Sequence, residues 1–388
     1  MAKLALIITL VYSCLYNTRA FGQSPDDSAC AVSITGLAGL RTFSEKQTSS
    51  KGKFWGIEAA YKLNMTNNTS DWVKMMNVKD IDFAFSYRNL TGLHLTEDPN
   101  TKGFIGTAYS VVSRLEISLF QLKRIDVLLS PGMGFTYVTQ TFYTNHNLLI
   151  GSHLNATFEM GLKTDIPINH STKIEAGADL FHFSNTGIKL PNIGVNTLSA
   201  TLGVVHNIND VEKPDHAIAF NIDRKSSIDI GAGIGHRGLI QVFQRKLSIA
   251  DSIKHAQAPS HLNNLGFYVG YNYRLNSLIS LKAATDIVYY LVTYDLINYL
   301  TTVQGYGTSE DKFNTGISLG GDLWLGRLAF EANYGYYLHF KYATTPVNFY
   351  YTFGAKYFFT PWAAFEAKVY LHGVEAQYTN FGVLFNVK

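Results

Sequence analysis

Residues 181–196 read FHFSNTGIKLPNIGVN, with His182 two positions before Ser184, then Asn185, Gly187, Asn192, Gly194 and Asn196. In an extended chain, residues i and i+2 share a face and stand roughly 7 Å apart. At that spacing an imidazole can bring its ring nitrogen within the roughly 3 Å of a serine hydroxyl that a nucleophile and its general base require. That chemistry would be acyl transfer to serine. The same two residues are also ordinary at a strand end, and asparagine and glycine serve turns because they tolerate positive φ. The elements that carry them must decide between these readings.

The bulk composition narrows those elements. The chain opens MAKLALIITLVYSCLYNTRAFG, with a lysine near the start, an apolar run from Leu4 to about Tyr16, and small Ala20 and Gly22 before Gln23. This reads as a secretory signal peptide over residues 1–22, too short for a membrane anchor. Cleavage there removes Cys14 and leaves Cys30 alone, so no intrachain disulfide is expected in an exported, oxidising setting. A net charge of +3 lacks the basic excess of a nucleic-acid binder, and no nucleic-acid partner is expected. Charged residues at 16% fall below the roughly 25% of an ordinary soluble domain. With 24 Tyr, 25 Phe and 32 Gly and no long apolar run after the signal, any membrane crossing must be made by strands.

Period-2 alternation recurs almost to the end of the chain. Ile81, Phe83, Phe85 and Tyr87 alternate with Asp82, Ala84 and Ser86, and Leu328, Phe330, Tyr334, Tyr336 and Leu338 with Glu331, Asn333 and Gly335. Runs of this length suit a tilted strand crossing a bilayer, which needs about nine to eleven residues, better than the shorter strands of a soluble sandwich. The expected fold is all-β, an antiparallel transmembrane outer-membrane β-barrel of about 12 to 16 strands. The sixteen-strand reading places strands near 31–44, 53–63, 79–89, 104–120, 126–142, 150–163, 171–184, 196–207, 226–240, 264–275, 277–290, 313–325, 327–341, 347–359, 362–372 and 376–388. Residues 23–210 form a first region carrying the 181–196 stretch, and 211–388 supply further strands, taken as part of the same barrel, since the inward and outward pattern is the same for one barrel or two. Tight turns are expected around Lys123, Asn169, Asn276 and Gly326, and long connections at 45–52, 90–103, 241–263 and 291–312. Two stretches, 64–78 and 208–225, are too long for periplasmic turns and leave room for another element.

Within the strand leading to Ser184, Ala176, Ala178, Leu180, His182 and Ser184 share one face, with Glu175 and Asp179 on the other. The apolar row is the one that faces lipid. In the next strand Asn196, Leu198, Ala200, Leu202 and Val204 repeat the pattern, and a hairpin brings Asn196 beside His182. As the seventh strand, this one runs outward, so the polar group lies at the outer-leaflet boundary and faces the membrane. A lipid substrate would explain that placement.

The string His182, Phe183, Ser184, Asn185, Gly187, Asn192, Gly194, Asn196 resembles the motif of the PagL-type lipid A 3-O-deacylases, outer-membrane hydrolases of an ester-linked acyl chain of lipopolysaccharide. The segments FIGTAYS, PGMGFTYVTQTF and IGSHLNATFEMGL look like the longer members of this acyloxyacyl hydrolase group, and the likeness extends loosely over 31–210. It implies Ser184 as nucleophile, His182 as general base, and an oxyanion hole drawn from Asn185, Asn192 and the Gly187 N–H. Fixed donors at a developing oxyanion contribute about 3 kcal/mol each. The short enzymes carry an acidic residue where this chain has Asn196; an amide oxygen can still fix the imidazole tautomer but cannot neutralise the imidazolium. Lys189, in the same loop, could meet a lipid A phosphate, and a solvated loop lysine is the plainer reading.

The resemblance thus implies an integral bacterial outer-membrane esterase with lipid A as substrate and membrane lipid as surroundings, needing no cofactor. No metal site is expected, since His153, His206, His255 and His261 lack ligand spacing. The competing class is a non-catalytic porin or transporter, because about sixteen strands in one barrel would leave an aqueous channel. Phospholipase chemistry at the same site is a third reading.

Overall fold

Sixteen strands of ten to sixteen residues dominate the computed structural model. It describes residues 29–43, 50–95, 105–145, 149–209, 225–238, 261–295, 300–302, 312–340, 348–373 and 375–387. The expected signal peptide at 1–22, His255, and most of the connections at 208–225, 241–263 and 291–312 lie outside the described residues.

The barrel strands are β1 (Cys30–Phe43), β2 (Trp55–Asn64), β3 (Val78–Asn89), β4 (Thr107–Leu122), β5 (Ile125–Val138), β6 (Leu154–Pro167), β7 (Thr172–Ser184) and β8 (Val195–Asn209). They continue with β9 (Ser226–Gly238), β10 (His261–Arg274), β11 (Ile279–Tyr290), β12 (Phe313–Leu325), β13 (Leu328–His339), β14 (Phe349–Thr360), β15 (Ala363–His372) and β16 (Glu375–Val387). Each of the sixteen falls within a few residues of its sequence-derived range. Alternation fixes where a strand lies because a polar residue on the lipid side, or a bulky apolar one among interior charges, would be costly.

The expectation of a single barrel is corrected. Strands β1 to β8 form one closed antiparallel barrel, sealed by β1 against β8, and β9 to β16 form a second, sealed by β9 against β16. Every strand finds both of its hydrogen-bonding neighbours within its own half of the chain. The division into compact units follows the barrels, except that Thr186–Pro191 groups with the second unit.

Eight strands leave an interior just wide enough for side chains to fill, and here the filling is charged. In the first barrel Lys62 Nζ donates to Glu116 at 2.7 Å, Arg114 to Glu159 at 2.8 Å, and Lys163 pairs with Glu175 at 3.1 Å, all buried. In the second, Lys282 and Lys356 share Asp322, each at 2.9 Å, and Lys282 also reaches Glu331 at 2.8 Å. Such pairs hold when every partner is present; removing one leaves a buried charge and costs about 3–5 kcal/mol. The sixteen-strand width on which the channel reading rested is therefore absent.

The tight turns fall where expected. Lys123 takes φ 57° and Gly326 φ 66°, while the Asn169 and Asn276 side chains accept from the backbone N–H of Ser171 and of Leu278 and Ile279. The long connection 64–78 does contain another element, a short helix α1 (Asp71–Met76) that buries Trp72 and Val73 and ends on Asn77 in the left-handed region.

Candidate functional site

Strand β7 is pinned from inside. Phe181 and Phe183 are buried and join Phe54, Leu90, Leu93, Ile105, Leu149, Ile150 and Val195 in an apolar cluster of the first barrel. The Arg88 guanidinium lies 3.8 Å from the Phe181 ring centroid and donates to Asp179 at 2.8 Å. A buried phenylalanine contributes about 1.5–3 kcal/mol, and a one-residue slip would expose both rings, so the register of β7 is fixed. With Phe181 and Phe183 inward, His182 and Ser184 must face outward.

The hairpin supplies the third member. Asn196 pairs with His182 across β7 and β8, with Leu198 opposite Leu180 in the next outward position. The His182 Nδ1–H donates to Asn196 Oδ1 at 2.8 Å, leaving Nε2 to accept from the Ser184 hydroxyl at 3.1 Å. That tautomer is the one a general base requires. On the other side, β6 sets Phe158 beside His182 and Ala156 beside Ser184 on the outward face.

Between the two strands, the Asn185 backbone N–H donates to Asn192 Oδ1 at 2.7 Å, and Asn192 forms a bridge with Ile150. The Asn185 main chain is thus committed to the loop, and the group Asn192 can offer a reacting oxygen is its Nδ2. Gly187, with φ 81°, and the exposed Lys189 fall in Thr186–Pro191, which groups with the second unit. So the first unit brings Ser184, His182, Asn196, Asn185 and Asn192 together.

Gly194 was missed as a site residue. It has φ 82°, its N–H donates to Leu149 O at 3.0 Å, and a Cβ there would lie 2.8 Å from His182 Cε1. Its freedom from a side chain lets the turn cross close over the imidazole. A glycine in a turn-rich loop carries no sequence signal of what it touches.

Residues 55–205 match the family model described as lipid A 3-O-deacylase (PagL), and residues 226–388 match that of the acyloxyacyl hydrolase C-terminal domain. No curated protein matches the chain by sequence. Among solved structures, the outer membrane enzyme PagL is 19% identical, with 44% of this chain and 97% of that one covered at a TM-score of 0.29. The outer membrane protein Omp33 of Acinetobacter baumannii is 8% identical, covering 92% and 98% at a TM-score of 0.17. OmpF of Salmonella typhi is 7% identical, covering 94% and 99% at 0.21. The two family matches together take in most of the chain, and it is an integral outer-membrane protein that belongs to the PagL-type acyloxyacyl hydrolase family, in a long form with an additional C-terminal region.

Proposed function

We propose that the first barrel is a serine esterase that hydrolyses an ester-linked acyl chain of lipid A. The observation that carries this reading is the hydrogen-bonded row Asn196, His182, Ser184 on the outward face of β7 and β8. Soluble hydrolases keep such a group in a cleft, whereas this one opens toward lipid, where a water-insoluble ester would lie.

Aromatic side chains support the depth. Trp55, Tyr87 and Tyr109 face outward with ring centroids 5.7 and 5.5 Å apart in succession, and Tyr109 pairs with Tyr137 on β5. They sit toward the strand ends that border the connections 90–106, 139–153 and 185–194, the end that also bears Ser184. Tyrosine and tryptophan favour the headgroup level, which is where the sugar esters of lipid A meet its acyl chains. This end then faces the outer leaflet.

In the reaction, His182 Nε2 takes the Ser184 proton as Oγ attacks the ester carbonyl carbon. Asn192 Nδ2 stabilises the oxyanion. The imidazolium returns its proton to the departing sugar oxygen, leaving an acyl-serine. Water, deprotonated by the same nitrogen, then releases the fatty acid. Asn196 holds the tautomer through both steps without adding charge.

The test is mass spectrometry of lipid A after incubation with the refolded mature protein, beside Ser184→Ala and His182→Ala. Loss of one acyl mass with the unaltered protein alone supports the esterase. An unchanged lipid A with a correctly folded barrel would sink it, and release from phospholipid alone would move the reading to a phospholipase.

A further inference from the structure

The outward row of β1 runs Val32, Ile34, Gly36, Ala38 and Leu40, with Ser33, Thr35 and Leu37 buried between them. Continued alternation would turn Arg41 inward. A bulge intervenes: Gly39 pairs with Ser199 and Arg41 with Leu198, leaving Leu40 as the extra residue. Beyond it the parity is reversed, so that Arg41 is exposed while Thr42 is buried and donates to Ser50 O at 2.6 Å. Gly39 permits this geometry, since a Cβ there would run into the ring of Phe54, a member of the apolar cluster behind the site. Bulges re-aim side chains in this way and are frequent beside active sites.

The re-aimed side chain lands near the polar row. Arg41 pairs with Leu198 and Leu198 with Leu180, while Asn196 and His182 form the next outward pair toward the loops. Two strand spacings and one outward step place Arg41 roughly 10 Å across and about 7 Å along from His182. Its outward neighbours Ala38, Leu40, Leu198 and Leu180 offer no counter-charge. A cation on a lipid-facing row is costly in the bilayer interior and tolerated near headgroups, where the guanidinium fork matches phosphate oxygens in pairs.

We propose that Arg41 is a substrate-positioning residue that binds a phosphate of the lipid A whose ester meets Ser184, an inference that rests on the function proposed above. The charge fixes the headgroup laterally, so the acyl ester nearest that phosphate is presented to the serine.

Binding is measured on Ser184→Ala, which keeps the acyl chains intact, with bisphosphorylated lipid A and its phosphatase-treated form as probes in detergent micelles. The expected preference for the phosphorylated form is about tenfold. Adding Arg41→Gln reduces it to near parity, and Arg41→Lys restores part of it, since an ammonium keeps the charge without the fork. An unchanged preference in Arg41→Gln would overturn the proposal. Because deacylation by the unaltered protein is read separately by mass spectrometry, failure of the esterase reading and failure of the Arg41 role give different results.

Discussion

Each barrel carries a histidine near the loop end of its seventh strand, and the two stand in different surroundings. On β7, His182 lies on the outward row and meets Ser184 and Asn196. On β15, Lys368 and Tyr370 point inward, and His372 follows on the same face, with its Nε2 2.7 Å from the Tyr337 hydroxyl. It stands edge-on to Phe340 at 5.0 Å, against a buried aromatic cluster that includes Tyr290, Tyr337, Tyr350, Tyr370 and Tyr378. Strand number and strand end agree; parity differs. A one-residue difference in phase sends one imidazole to the lipid side and the other into the barrel. The fold supplies two equivalent scaffolds, and the proposed esterase site rests on a few side chains of one of them.

The sharpest way to break this contrast is to remove the chemistry from each barrel in turn. Ser184→Ala is expected to lower lipid A deacylation by roughly 10⁴ to 10⁶-fold, as for other serine nucleophiles, whereas His372→Ala leaves the rate of folded protein unchanged. Comparable losses from both, followed by mass spectrometry, would erase the distinction.

A second comparison uses the interiors. Arg114→Ala strands Glu58 and Glu159, whereas Lys356→Ala leaves Asp322 paired with Lys282. Arg114→Ala should destabilise its barrel by about 3–5 kcal/mol and Lys356→Ala by less, seen as a lower midpoint in denaturant titrations. Only Arg114→Ala should also reduce the folded fraction able to deacylate.

Gly194→Ala is expected to push against His182 Cε1 and to cost about 10²-fold in kcat, the scale of a misplacement near 1 Å. The positive φ adds about 1–2 kcal/mol of destabilisation. A rate within error of the unaltered protein would mean that the turn yields without moving the imidazole.

The smallest effects should come from the matching turns between the fourth and fifth strands of each barrel. Lys123 adopts φ 57° and Gly326 φ 66°. Lys123→Gly should stabilise the first barrel by up to about 1 kcal/mol, and Gly326→Lys should weaken the second by a similar amount. Opposite shifts in unfolding midpoint would show that the two turns share one conformation with different residues.

The sequence by itself determined a good deal. Alternation located the sixteen strands because each face has only one tolerable chemistry, and Lys123, Asn169, Asn276 and Gly326 marked turns through their own local conformations. The same parity put His182, Ser184 and Asn196 on one outward face, since Phe181 and Phe183 could be satisfied only inside. Helix α1 was legible merely as an overlong connection. Tertiary structure decided which strands close on which: inward and outward alternation is identical in one barrel of sixteen and two of eight, and only long-range hydrogen bonding of β1 to β8 and β9 to β16 separates them. It also decided the turn of Gly194 over the imidazole and the bulge that sends Arg41 outward. Both depend on contacts with distant strands, which local pattern does not encode.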